Sequence, residues 1–175
     1  MNELIKIPAE RVSVILGKDG RTKKRIEKRC NVQLEVHEDG DIEMAGDSAD
    51  VFFARDVIKA IGRGFNPDIA IKLSRDDFCF YLISLKEVAG SDSAVTRIKG
   101  RVIGEEGRIK TAIEEATDSY LSIYGNTIAV ISRIDGMEYA KEAIGLLIDG
   151  ARHATVLGYL AKAKRSLMES RLKGQ

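Results

Sequence analysis

Two glycines three residues apart, Gly17 and Gly20, stand between an apolar stub and a run of cations in the stretch VILGKDGRTKKRIEK, residues 14–28. The device returns at residues 101–115, RVIGEEGRIKTAIEE, where Gly104 and Gly107 align with the first pair without a gap. Arg21 then matches Arg108, Lys23 matches Lys110, Ile26 matches Ile113 and Glu27 matches Glu114. A turn this tight between two helices leaves little room for Cβ atoms and lets a ligand come close to the main chain. The helix that starts behind it offers free N–H groups and the positive end of its dipole. That chemistry suits phosphate.

The charges around the two loops differ. From Lys18 to Arg29 there are seven basic residues against two acidic ones, Asp19 and Glu27. Part of that run reads as a solvated helix face; Lys18, Arg21 and Lys24 are the candidates for phosphate contact. In the second loop Glu105 and Glu106 occupy the tip. Acids near a helix start are favourable by about 0.3–1 kcal/mol. Against a phosphate about 5 Å away, each repels by about 0.8 kcal/mol in water and several-fold more in a partly dry groove. Arg97, Arg101, Arg108 and Lys110 lie close enough in sequence to offset this. On electrostatics alone the first loop is the better backbone clamp.

The elements that must position these loops also repeat. Residues 4–8 read as a strand, 10–16 and 21–29 as helices on either side of the first loop, and 32–37 and 41–46 as alternating strands joined by a turn. A helix follows, with Val51, Ala54, Val57, Ile58 and Ile61 on one face. The second copy gives a strand at 78–85, helices at 93–103 and 108–116, a hairpin at 120–131 and a helix at about 135–151. Leu34 and Val36 align with Leu121 and Ile123 at the same offset as the glycines. The expected class is α+β: two copies of β-α-α-β-β-α plus a C-terminal helix. The domain bounds read as 1–62, a linker with a short helix at 63–77, 78–151, and a basic helix at 152–175. Asn66 and Pro67 form the start signal of the short helix. Val156, Leu160, Ala163 and Leu167 give the last helix an apolar face that reads as packing on the second copy.

The order strand, helix, GxxG, helix, strand, strand, helix resembles the type I KH domain, a module that binds RNA and single-stranded DNA. That resemblance implies an apolar groove beside each loop that holds about four unpaired bases. At RIKGRVIGEEGRIKTAIEE, YLSIYGNTIAVI, IGRGFNP and the tail GARHATVLGYL, the chain is similar to the archaeal member of the Krr/Pno family of two-KH proteins in small-subunit assembly. The resemblance covers nearly the whole chain. It implies a partner in single-stranded ribosomal RNA near the 3′ end of the small-subunit RNA, read mainly by the second domain. It also implies the Nob endonuclease and other assembly or translation factors as protein partners. The RNA-binding set on this reading is Gly17, Lys18, Asp19, Gly20, Arg21 and Lys24, with Arg97, Arg101, Gly104, Glu105, Glu106, Gly107, Arg108 and Lys110. A complete, strongly basic first loop departs from the family picture of a first domain used for protein contact.

Other functions find less in the residues. Neither loop has the G-x-x-x-x-G-K-[ST] pattern of a nucleotide-binding loop, and Gly100, Gly104 and Gly107 do not make GxGxxG. His37 and His153 have no catalytic partner in sequence, and no metal-ligand spacing occurs, so the expectation is no enzyme, no metal and no cofactor. Cys30 and Cys79 lie far apart and read as reduced thiols. No apolar run is long enough to span a bilayer, and the first residues lack a signal-peptide core, so the chain reads as soluble and cytoplasmic. The formal net charge is only +1, so any nucleic-acid contact must come from local patches. The rival reading is a protein-interaction scaffold with little RNA affinity, which GEEG and the low net charge favour.

Overall fold

Alternating apolar residues need a partner layer, and both copies supply one from helices. The computed structural model describes residues 1–174. The chain divides into two compact units, Met1–Phe80 and the part from Tyr81 onward.

In the first unit β1 (Asn2–Lys6) leads through a 3-10 turn at Ala9–Arg11 into α1 (Val12–Leu16), and α2 (Arg21–Cys30) follows the glycine loop. Next come β2 (Gln33–Val36), β3 (Asp41–Ala45) and α3 (Ser48–Gly62). The antiparallel sheet has the order β1-β3-β2, with Ile5 opposite Ile42 and Leu34 opposite Met44. One sheet face carries Ile5, Leu34, Ile42 and Met44 into the core, against Ile15, Ile26 and the apolar stripe of α3, all buried. Each such side chain contributes about 1.5–3 kcal/mol of burial free energy. Cys30 closes the inner face of α2, where burial pushes its thiol up to about 11.

The strand expected at 4–8 is shifted to Asn2–Lys6 because Pro8 has no N–H to donate, and the Ile7 N–H goes to the Gly40 carbonyl at the hairpin tip. Residues 63–77 lie within this unit. Asn66 caps α4 (Pro67–Ala70) by accepting the Asp68 N–H at 2.8 Å. Phe65, Ala70 and Leu73 are buried, and α4 and the 3-10 turn Ile71–Ser74 pack against α3.

The second unit repeats the plan with longer strands and a longer helix before the loop. β4 (Phe78–Ser84) straddles the boundary and is followed by the single turn α5 (Leu85–Val88), which the sequence does not signal. α6 (Asp92–Ile103), capped by Ser91, precedes the second glycine loop, and α7 (Arg108–Thr117) follows it. β5 (Ser119–Tyr124), β6 (Thr127–Arg133) and α8 (Ile134–Ile148) complete the copy, with sheet order β4-β6-β5. The expected order is therefore present twice.

The C-terminal helix α9 (His153–Lys173) packs on α7 and α8 through buried Val156, Leu160, Ala163 and Leu167. Its far end is tied by Arg171, which donates to Asp135 at 2.9 Å and to Asp118 at 3.0 Å. The Arg171 guanidinium holds the Asp135 carboxyl below the usual 3.8. A lowered carboxyl contributes stability that is present above its unfolded value and is lost as pH falls through the folded one. Arg171→Leu is therefore expected to cost on the order of 1 kcal/mol at neutral pH. That difference should shrink at an acid pH below the usual carboxyl value, as pH falls through the lowered folded one. Urea midpoints of both proteins at the two pH values check this; a pH-independent gap would remove the ion pairs as its cause.

Candidate nucleic-acid interface

The two glycine loops have the same backbone. Gly17 has φ 68° and ψ −179°, Asp19 φ 55° and ψ 29°, and Gly20 φ 71° and ψ 14°. Gly104, Glu106 and Gly107 give 74° and 176°, 54° and 26°, and 74° and 14°. Three of each loop's four residues thus have positive φ, a region that L-residues enter at a cost.

The glycines of each pair differ in what surrounds them. A Cβ on Gly17 would collide with the Thr22 side chain and lie 3.0 Å from the Thr22 backbone nitrogen. One on Gly104 would lie 2.5 Å from Ile109 Cγ1 and 3.0 Å from the Ile109 nitrogen. Around Gly20 and Gly107 nothing lies within 4 Å of that position. The first glycine of each pair is fixed by packing of the next helix; the second faces open space. Behind each open glycine, α2 and α7 begin without a side-chain cap and with no acid in the first turn. The first N–H of each helix bonds back into its loop, from Arg21 to the Lys18 carbonyl and from Arg108 to the Glu105 carbonyl. The positive end of each helix dipole lies behind the open glycine, where an anion is favoured.

On the other side of each helix that follows a loop lies one edge strand of the sheet, β2 in the first unit and β5 in the second. The His37 N–H bonds to the Asp41 carbonyl at 2.9 Å, so residues 33, 35 and 37 point their main-chain groups at β3. Leu34 and Val36 point theirs away from the sheet. Glu27 accepts the Leu34 N–H at 2.8 Å, and Lys23 sits 3.4 Å from the same carboxylate. The second copy matches it: Glu114 accepts the Leu121 N–H at 3.3 Å and pairs with Lys110 at 2.9 Å. The main chain of Val36 and of Ile123, two residues further along each edge, is left turned outward. The sequence aligned Glu27 with Glu114 but gave no sign of their strand-edge bonds.

The candidate residues take distinct places. Lys18, Asp19, Arg21 and Lys24 are exposed around the first loop, and Arg97, Glu105, Glu106 and Arg108 around the second. Arg108 stands 3.4 Å from Glu106 in a solvated pair. Lys110 is half-buried in its bridge to Glu114. Arg101 turns to the C-terminus of α8, donating to the Leu147 carbonyl at 3.1 Å and to the Ala151 carbonyl. Arg11 serves the first copy in the same way, donating to Ile61 and Phe65 carbonyls at 2.8 and 3.0 Å. The sequence missed this pairing because Arg11 and Arg101 do not align at the offset of the loops.

Among the described residues one group has metal-ligand chemistry, Glu35, His37 and Glu43 on the first hairpin. His37 Nε2 lies 3.3 Å from Glu43 and 3.9 Å from Glu35. All three side chains are solvated, and the spacing is that of a surface ion-pair cluster.

Paired GxxG loops, each set between helices and facing an edge strand of a β-α-α-β-β-α unit, define a tandem type I KH protein. Residues 79–165 match the model of the eukaryotic-type KH domain (KH-domain type I), and residues 2–60 match the KH domain model. The KH domain-containing protein MJ0443 of Methanocaldococcus jannaschii is 41% identical over 97% of this chain and 77% of its own length. The pre-rRNA-processing protein pno1 of Aspergillus fumigatus is 28% identical over 83% of this chain, which spans 59% of that protein. The rRNA complex of aDim2p with a/eIF2alpha from Pyrococcus horikoshii contains a chain 36% identical to this one, with a TM-score of 0.87 over 95% of each. The chain belongs to the Pno family of two-KH-domain proteins.

Proposed function

We propose that this protein holds single-stranded ribosomal RNA during assembly of the small ribosomal subunit, at a segment near the 3′ end of the small-subunit RNA. The observation that carries this reading is the open second glycine of each loop, set between an uncapped helix start and outward main-chain groups of an edge strand. Phosphates approach at Gly20 and Gly107, while unstacked bases lie toward Val36 and Ile123, whose N–H and C=O groups can pair with base edges. The pre-rRNA-processing role of the fungal relative and the rRNA in the archaeal complex support the choice of ligand.

The second unit reads sequence. Its RNA-facing residues are Gly104, Glu105, Glu106, Gly107 and Arg108, with Arg97 on the helix before them. Arg101, expected among them, is committed to the carbonyls that end α8, and Lys110 to its bridge with Glu114. The first unit, through Gly17, Lys18, Asp19, Gly20, Arg21 and Lys24, adds sequence-blind affinity. The protein acts in the cytoplasm by binding rather than by catalysis, with the Nob endonuclease as a protein partner.

A groove for unstacked bases excludes a duplex, so affinity for a single-stranded segment should exceed that for the same segment closed into a hairpin by at least about tenfold, one to three kilocalories per stacked base being at stake. Filter binding at low salt measures both. Equal affinities would point to a general basic surface. The rival reading, a scaffold with little RNA affinity, draws on the exposed Glu105 and Glu106; absence of any binding would favour it.

A further inference from the structure

We infer that the outer face of α2 is a second RNA-binding surface, one that grips the phosphate backbone of structured, double-helical RNA independently of the groove. This rests on the reading of the chain as an RNA-binding protein.

Two contacts orient the helix. Lys23 and Glu27 lie on the flank toward β2, because Glu27 bonds the Leu34 N–H. Arg25 lies on the other flank, paired with Asp68 at the start of α4. Ile26 and Cys30 face the core. At helical spacing this leaves Lys24 and Lys28 on the crest and Arg25 and Arg29 on the flank away from β2. All four are exposed and together line one shallow depression. Only Arg25 among them has an ion-pair partner within the described residues.

A solvated helix face ordinarily mixes signs. Here Arg21 and Arg25, Lys24 and Lys28, and Arg25 and Arg29 are like-charge pairs four residues apart, a spacing that destabilises a helix. The dipole favours Lys28 and Arg29 in the last turn but not Arg21, Lys24 and Arg25 in the first half. A polyanion laid along the face relieves all three repulsions. The second unit serves as an internal control. Its equivalent positions are Thr111, Ala112, Glu115 and Ala116; α9 packs along α7, and Ala116 is buried. The helices share a fold and a loop, so the cations are not required by either. Their rows run along the helix beyond the groove wall, and a rigid array of phosphates, as in a duplex, matches them better than a splayed single strand.

The test uses the full chain and the replacement of Arg25, Lys28 and Arg29 by the residues of the second copy: Arg25→Ala, Lys28→Glu and Arg29→Ala together. The probes are a blunt RNA duplex of about one helical turn and a short unstructured RNA, each titrated at two salt concentrations. The triple variant should lose at least about tenfold in duplex affinity and reduce the salt slope by about 2–3, near 0.9 per lost phosphate contact. Its affinity for the unstructured RNA should change less than about threefold, since the groove is untouched. The converse graft, Thr111→Lys with Ala112→Arg and Glu115→Lys, should raise duplex affinity. Unchanged duplex binding and slope in the triple variant overturn the inference while leaving the single-strand reading in place. Duplex binding that is absent from the parent protein overturns it too, as does binding of poly-glutamate in preference to duplex. Failure of the parent protein to bind either RNA removes the proposed function along with it.

Discussion

Gly107→Asp is expected to leave the protein folded and to abolish its preference among RNA sequences. The position has open space around it, so no neighbour must move, and aspartate tolerates the left-handed backbone at a cost of about 1 kcal/mol. The new carboxylate joins Glu105 and Glu106 where the phosphate must pass. At about 5 Å each repels by about 0.8 kcal/mol in water and several-fold more when partly dry, so a loss of tenfold or more in specific affinity follows. Gly20→Asp should instead lower overall affinity and flatten its salt dependence, because the first loop gathers phosphate contacts. Glu105→Lys with Glu106→Lys should strengthen binding while weakening discrimination, adding attraction that is blind to sequence. Affinities for matched and scrambled single-stranded RNA at two salt concentrations, with circular dichroism to verify folding, check the set. Unchanged affinity and preference in Gly107→Asp would shift RNA reading to the first unit.

The second large effect separates the two glycines of a pair by stability. Gly17→Ala must seat a methyl group against Thr22, and Gly104→Ala against Ile109, at positive φ. Overpacking of about 1–3 kcal/mol adds to a left-handed penalty of about 1–2 kcal/mol. Gly20→Ala and Gly107→Ala incur the second cost alone. The first pair should therefore lose about 2–5 kcal/mol and the second about 1–2 kcal/mol on unfolding in urea. Equal losses at Gly17 and Gly20 would show that packing behind the loop does not decide.

Much of this arrangement was legible in the residues because it is written twice. Alternation in 32–37 and 120–131, helical stripes such as Val51 to Ile61, and the Asn66–Pro67 start signal act locally, and each element formed where its pattern lay. The loop geometry was legible for the same reason: two glycines bracket positions that need positive φ. What remained hidden is bonded across long stretches of chain. Arg101 reads as a cation near a glycine loop, yet its donors serve carbonyls 46 and 50 residues onward. Glu27 and Glu114 read as helix-surface acids, and only the folded sheet brings an edge N–H to each. The cations of α2 were visible as a run; which of them face away from β2 depends on the Glu27 and Arg25 contacts.

The helix carboxylate bonded to one edge of each sheet, at β2 and at β5, has a consequence for colloidal behaviour. An uncovered strand edge is a template on which a second polypeptide can add a strand and begin an aggregate. β2 is only four residues long, and two of them point their main chain outward. With the Leu34 N–H taken by Glu27, an incoming strand finds no continuous ladder: one donor is occupied, and a carboxylate stands where its carbonyl would go. The rung left at Val36 is too short to nucleate a strand. The same bond thus disfavours strand addition at this edge of the sheet.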